Sequence, residues 1–445
     1  MTTSALATKP SRSPARVWWS AFAGSAMEFY DFSVYSAASA VILGPLFFNE
    51  AEPAIATILS FATLAIGYVA RPIGAVVWGH FGDRIGRKSV LIWTMIVMAI
   101  ATLGIGVLPT ASDIGSLAPV LLVVLRLVQG FAVGGEWGGS VTLATEHSGT
   151  KRRAFAGAAT AAGASAGYSI GFGVFALVAW LAGDAIADGW WRVPFLLTVV
   201  MFAIALFLRL RVEETPIMKA MLESNERVRV PIAVVFGRHW RQVIIGVFVV
   251  AGMFATSQAY VGFLVAYGVS NLGYTAAQML LATTISAGLN VFAGPIASLI
   301  ADKLGRRTVV LTGIGLLALL TVFMWPLMHT GLFGIVLLTF CLMYTIYGLT
   351  YGPVAGILTE LFPTQIRYSG ISIAYQLASI IGGTTSLVCS ALIAGGLGEI
   401  SIVLYIFLLL AVSAVALLFV PKHNDTDLAN VARVGKNSTA QAATS

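Results

Sequence analysis

Residues 82–88 read Gly-Asp-Arg-Ile-Gly-Arg-Lys, and residues 301–307 read Ala-Asp-Lys-Leu-Gly-Arg-Arg. Both runs follow one order of small residue, acid, base, apolar residue, glycine and two bases. Their aspartates, Asp83 and Asp302, stand 219 positions apart. A second pair recurs at nearly the same offset, with Glu146 and Arg153 matched by Glu360 and Arg367, 214 positions on. Two unrelated polar motifs repeating at almost one offset imply a duplicated chain. A glycine allows a tight turn, and an aspartate at a helix end can accept from arginine and backbone donors.

The material between these motifs is apolar. Of the 445 residues 58% are hydrophobic and only 10% charged, where soluble domains carry roughly 25% charged residues. A water-soluble protein of this composition would expose large apolar patches. The apolar residues form blocks near 17–47, 55–80, 89–109, 117–143, 154–182 and 190–210, then near 241–270, 276–301, 308–328, 332–358, 368–395 and 399–420. Each is long enough to cross the hydrocarbon core as a helix. The short alternating segments of a membrane β-barrel are absent from the sequence. The expected fold is therefore an all-α membrane protein of twelve transmembrane helices in two six-helix halves.

Orientation follows from the basic residues. With the N-terminus inside, 23 of the 26 Lys and Arg fall in the tail, loops and centre on one side, as the positive-inside rule requires. Both termini are then expected to be cytoplasmic. The division is an N-terminal tail 1–16, a first bundle 17–210, a linker 211–239, a second bundle 240–420 and a C-terminal tail 421–445. The net charge of +7 needs no nucleic-acid partner, because basic loops facing an anionic leaflet account for it. Cys341 and Cys389 fall inside apolar blocks with no metal or disulfide spacing. The five histidines lie at span ends, in loops or in a tail. No enzyme site and no metal site are legible. Trp18, Trp19, Trp190 and Trp191 are expected as interfacial anchors.

The segment Gly79-x3-Asp83-Arg84-x-Gly86-Arg87-Lys88 resembles the loop signature of the major facilitator superfamily. Three further stretches resemble its metabolite:proton symporter family, in a shikimate-transporter-like branch. They are Met27–Phe32 (MEFYDF), Arg126–Trp137 (RLVQGFAVGGEW) and Glu360–Gly370 (ELFPTQIRYSG). One departure is Gly382–Ser386, which lacks a proline expected near its end. The resemblance spans 17–420 and implies the major facilitator fold in a bacterial inner membrane. It also implies alternating access, energy from the proton gradient without a cofactor, and a monomer embedded in lipid that handles a small-molecule substrate and protons. The repeated loops, with Asp83, Arg84, Gly86, Arg87, Glu146, Arg153, Asp302, Gly305, Arg306, Glu360 and Arg367, are expected to gate the cytoplasmic side. Topogenic charge is the plainer alternative.

Ionisable residues within spans mark transport pathways, because charge is costly there. Five occur, all in the first half: Glu28, Asp31, Arg71, Arg126 and Glu136. Glu28, Asp31 and Tyr35 share one helical face, as do Arg126, Gln129 and Glu136. Depths estimated from the helical rise permit an Asp31–Arg126 pair and a Glu28–Arg71–Glu136 cluster. Asp31 is expected to be the proton-coupling carboxylate and Arg126 its partner; a permanent packing pair is the alternative. The resemblance to the sugar:proton branch, with its span-1 Asp and span-4 Arg, agrees. The lower cluster reads as a structural bridge or a substrate contact. Tyr35 and Gln129 are further substrate-binding candidates of the first half, and Gln258, Asn290, Tyr347, Tyr375 and Gln376 are those of the second, joined by Tyr344 and Tyr351.

The expected function is proton-coupled uptake of a small organic anion or zwitterion, shikimate-like or another carboxylate. Efflux by proton antiport is the alternative, although span 5 lacks the Gly-Pro pair such antiporters carry. A non-transporting sensor is weaker still, because the longest internal loop spans only 211–239.

Overall fold

A computed structural model describes residues 14–148, 152–214 and 231–420. The expected terminal tails, apart from Pro14–Arg16, and most of the expected linker lie outside the described residues. Those described form twelve long helices. The first half comprises α1 (Pro14–Val41), α2 (Pro53–Ile85), α3 (Arg87–Val107), α4 (Leu117–Glu146), α5 (Arg153–Ala182) and α6 (Arg192–Leu210). The second comprises α7 (Trp240–Asn271), α8 (Ala276–Leu304), α9 (Arg306–Met328), α10 (Phe333–Leu361), α11 (Thr364–Ala394) and α12 (Gly398–Leu418). Eleven of these are long and apolar enough to cross a membrane; α1, which carries Glu28 and Asp31, completes the set with 28 residues.

The halves meet mainly along α2 with α11 and α5 with α8. Six-helix duplication turns the first pairing into the second, so the interface repeats the internal symmetry read from the motifs. Within the first half the close approaches are made by glycine. A Cβ on Gly130 of α4 would fall on the carbonyl of Gly67 in α2, and one on Gly134 on the backbone between Arg71 and Ala75. Small residues at such crossings let helices pack backbone to backbone in lipid. This contact sets α4, and with it Arg126 and Gln129, against α2.

Three local features depart from plain helices. The signature run 82–88 is helical through Ile85 and again from Arg87, so the turn is Gly86 alone, with φ +119°. Gly305 makes the equivalent turn with φ +96°. L-residues rarely adopt this conformation, which explains why glycine stands at both repeats. A π-helical turn spans Ala259–Phe263 within α7, a distortion that often accompanies functional sites. α11 breaks at Thr384 despite the missing proline. The Thr384 hydroxyl donates to the carbonyls of Ile380 (2.8 Å) and Ile381 (3.1 Å), a back-bond that perturbs helices.

Of the four expected anchors, Trp19 and Trp190 are exposed and Trp18 is half-buried, but Trp191 is fully buried against Phe47 and Phe195. Interfacial anchoring therefore does not describe Trp191.

Candidate functional site

The charged residues predicted within spans divide into three sets, the first two built from first-half side chains. In the first, Asp31 is fully buried and accepts hydrogen bonds from Thr102 Oγ1 (2.5 Å) and Gln129 Nε2. Gln129 Oε1 in turn accepts from Arg126. The expected Asp31–Arg126 pair is thus a relay through Gln129 rather than a direct contact. The reason is local. Gln129 lies one turn from Arg126 on the same face of α4, and its amide fills the space between guanidinium and carboxylate. Arg126 also lies over the Tyr35 ring, 3.9 Å from its centroid, while Tyr35 and Thr63 share a 2.6 Å hydrogen bond.

The second set corrects the expected three-residue cluster. Glu136 is bound by Arg209 of α6 at 2.5 Å and by Thr94 of α3 at 2.7 Å, with Ser140 beside it. A buried carboxylate needs a countercharge and donors, and both are satisfied here without Glu28 or Arg71. Arg209 is one of the basic residues at the chain centre that the positive-inside pattern puts on the cytoplasmic side, yet it is fully buried.

The third set is Glu28 with Arg71. Arg71 is buried between Phe32 and Tyr68, its guanidinium carbon 3.9 and 3.8 Å from the two ring centroids. It hydrogen-bonds the Tyr68 hydroxyl, but its Nε and Nη2 have no partner. Glu28 is fully buried, and among the described residues neither of its oxygens has a hydrogen-bond partner.

From the second half, Gln258, positioned just before the π-turn, donates to the hydroxyls of Tyr68 (2.9 Å) and Tyr168 (3.3 Å). Asn290 donates to Ser165 Oγ at 2.9 Å and leaves its Oδ1 unpartnered. Tyr351 and Tyr375 share a 2.6 Å hydroxyl contact, Tyr347 stacks on Tyr351, and Tyr375 stacks on Trp137 at 3.5 Å. Gln376 donates to the carbonyls of Val133 (3.2 Å) and Gly134 (3.4 Å), so its amide ties α11 to α4. The sequence reasoning missed Thr102, Tyr68, Tyr168 and Arg209. Hydroxyls and span-end bases are common in apolar helices, so nothing in the sequence singled them out.

At the end carrying the basic turns the two halves are laced together. Asp83 accepts from Ser369 N (3.1 Å) and Oγ (2.7 Å), near the start of α11. Asp302 accepts from Ala154 N (3.2 Å) and Phe155 N (3.1 Å), at the start of α5. Each repeated aspartate therefore caps a helix of the opposite half, where the free N–H groups and the helix dipole favour an anion. Glu146 binds Arg87 of its own half and Arg367 of the other, the latter at 3.1 Å. Glu360 binds Arg306, and Arg153 across the interface at 3.7 Å. Arg84 lies exposed beside His80.

The profile of the Major Facilitator Superfamily matches residues 21–384 and 269–441. The chain is 36% identical to the inner membrane metabolite transport protein YhjE of Escherichia coli K12, over 92% of this chain and 94% of that one. It is 34% identical to the shikimate transporter of the same organism, over 84% and 86%. Among solved structures, the proton:xylose symporter XylE bound to 6-bromo-6-deoxy-D-glucose superimposes with a TM-score of 0.75 at 18% identity, covering 96% of this chain and all of that one.

Proposed function

The chain belongs to the major facilitator superfamily, and on that premise we propose that it is a proton-driven symporter taking up a small organic anion or zwitterion through a bacterial inner membrane. The observation that carries this reading is the buried relay Asp31–Gln129–Arg126 at the junction of α1 and α4.

An ionised Asp31 accepts from the Gln129 amide nitrogen, and the amide oxygen then holds Arg126. A protonated Asp31 becomes a donor, so the amide turns its oxygen toward it. That places the amide nitrogen against the Arg126 donors, which cannot bond to it. Arg126 is thereby released to donate to a substrate carboxylate. Substrate and proton then stabilise one another's binding, as symport requires. The reciprocal caps of Asp83 and Asp302, with the Glu146 and Glu360 networks, close the cytoplasmic side and must break for inward release. No cofactor enters the cycle, and a single chain is the working unit.

Efflux is the second reading. Five glycines and no proline in α5 leave it without that reading's Gly-Pro pair. The test is uptake into liposomes under an inward proton gradient, with labelled shikimate, citrate, 2-oxoglutarate, an aromatic carboxylate and glycine betaine. Accumulation that a protonophore and Asp31→Asn both abolish is the expected result. Asp31→Asn protein that still concentrates substrate would remove Asp31 from proton coupling.

A further inference from the structure

At the end of the bundle that carries the basic turns, a cavity of about 520 Å³ opens between the start of α1, the end of α4 and the start of α5. Its volume falls within the range of ligand clefts, about 300–1,000 Å³. The walls are mostly apolar, with Val17, Trp18 and Trp19 on α1 and Phe155 on α5. Trp18 forms the central plate. It stacks on Phe155 at 6.4 Å between ring centroids and on Phe22 at 5.6 Å. Among the described residues, none of the Asp31 relay or of the Glu136 set lines this cavity.

Three features define what it fits. The aromatic wall suits alkyl chains, because apolar surface kept from water is stabilised in proportion to its area. The indole N–H of Trp18 is buried and has no acceptor among the described residues. A buried donor left unpaired is costly, and an ester or phosphate oxygen would satisfy it. Arg152 lines the cavity, is exposed, and makes no ion pair among the described residues. Arg16, also exposed, stands between the lining residues Ala15 and Val17. The positive-inside pattern sets this end of the bundle against an anionic leaflet. Acyl chains, ester oxygens and a phosphate match wall, N–H and guanidinium part for part. A soluble organic anion would leave the aromatic wall uncovered, and a lipid with a cationic headgroup would bring like charge toward Arg152.

We infer that this cavity is a binding site for one anionic phospholipid of the surrounding leaflet, with its chains on the Trp18–Phe155 wall and its phosphate at Arg152. The site also bears on the contact between the halves. Phe155, which forms the far wall, gives its backbone N–H to Asp302 of the second half. A lipid packed against Trp18 and Phe155 therefore holds the first turn of α5 where Asp302 caps it. That consequence, unlike the site itself, rests on reading the Asp302 cap as part of the closed cytoplasmic face.

The test uses the full chain in phosphatidylcholine nanodiscs that contain a minor, graded fraction of phosphatidylglycerol brominated on its acyl chains. Bromine quenches nearby indoles, so the part of the quenching that Trp18→Phe removes reports this cavity. That part should saturate, and phosphatidylglycerol should occupy the site about fivefold or more tightly than brominated phosphatidylcholine with the same chains. Arg152→Gln should cut the preference by about fivefold, the worth of one basic residue at an anionic surface. Ala156→Leu should fill the cavity and weaken both lipids, and free glycerol phosphate should displace neither. Should Ala156→Leu not fold, the exposed Arg152→Gln alone decides. Equal occupancy by the two lipids, a preference unchanged in Arg152→Gln, quenching that never saturates, or displacement by glycerol phosphate each overturns the site. A cysteine on α5 at the interface should also label more slowly as phosphatidylglycerol rises, and this dependence should be lost in Arg152→Gln. Saturable, Arg152-dependent binding with unchanged labelling would leave the site standing and retire its hold on α5.

Discussion

Gln129→Leu removes the amide that joins proton site to cation while keeping the side chain's approximate volume. Two hydrogen bonds to charged groups disappear, one to Asp31 and one from Arg126. Each such bond contributes about 1.5–3 kcal/mol. Asp31 retains the Thr102 hydroxyl and Arg126 retains the Tyr35 ring, so neither charge is stranded. If the amide transmits coupling, losing even one bond's worth of it lowers the mutual stabilisation of proton and substrate by about tenfold, since about 1.4 kcal/mol is a decade. The assay is paired. Gradient-driven accumulation in liposomes should fall by about tenfold or more, whereas gradient-free counterflow should fall distinctly less. A double-mutant cycle sharpens it: Asp31→Asn and Arg126→Gln should be non-additive in substrate binding in the wild-type background and additive within Gln129→Leu. Accumulation at the wild-type level in Gln129→Leu, or unchanged non-additivity, would refute the relay.

Glu136→Gln should act on stability rather than specificity. It leaves Arg209 buried without a countercharge, a change that costs about 3–5 kcal/mol, so the thermal midpoint should drop while the ranking of substrates holds. Removing a cap at Asp302, by Asp302→Ala, strips Ala154 and Phe155 N–H of their acceptor and should cost about 1 kcal/mol of the closed form. A cysteine placed on α5 at the interface should then label faster from the cytoplasmic side, and unchanged labelling would argue against a gating role. Gly130→Ala sets a methyl group on the Gly67 carbonyl. Because the contact is backbone, it should separate α2 from α4 and lower folding yield; a normal yield would show that the crossing can yield.

The sequence alone determined that this chain lives in lipid, that it crosses about twelve times, and that it is two copies of one plan. Composition, apolar block length and two motifs at nearly one offset are properties of the chain in one dimension. They survive any uncertainty about which helix touches which. It also located five of the buried charges, Glu28, Asp31, Arg71, Arg126 and Glu136, because an ionisable group in an apolar span is conspicuous by chemistry alone. Tertiary structure decided the pairings. Helical periodicity placed Arg126, Gln129 and Glu136 on one face of α4 but could not say what that face meets. The answer differs along its length: Asp31 of α1 at one level, Arg209 of α6 at another. Arg209 looked like one more positive-inside residue, since its burial depends on how α6 rotates against α4. The bend of α11 needed no proline, because Thr384 supplied it from a hydroxyl. The isolation of Glu28 was invisible in the sequence for the same reason. That no described residue hydrogen-bonds its carboxyl is a fact about every neighbouring helix at once, and only the packed bundle contains it.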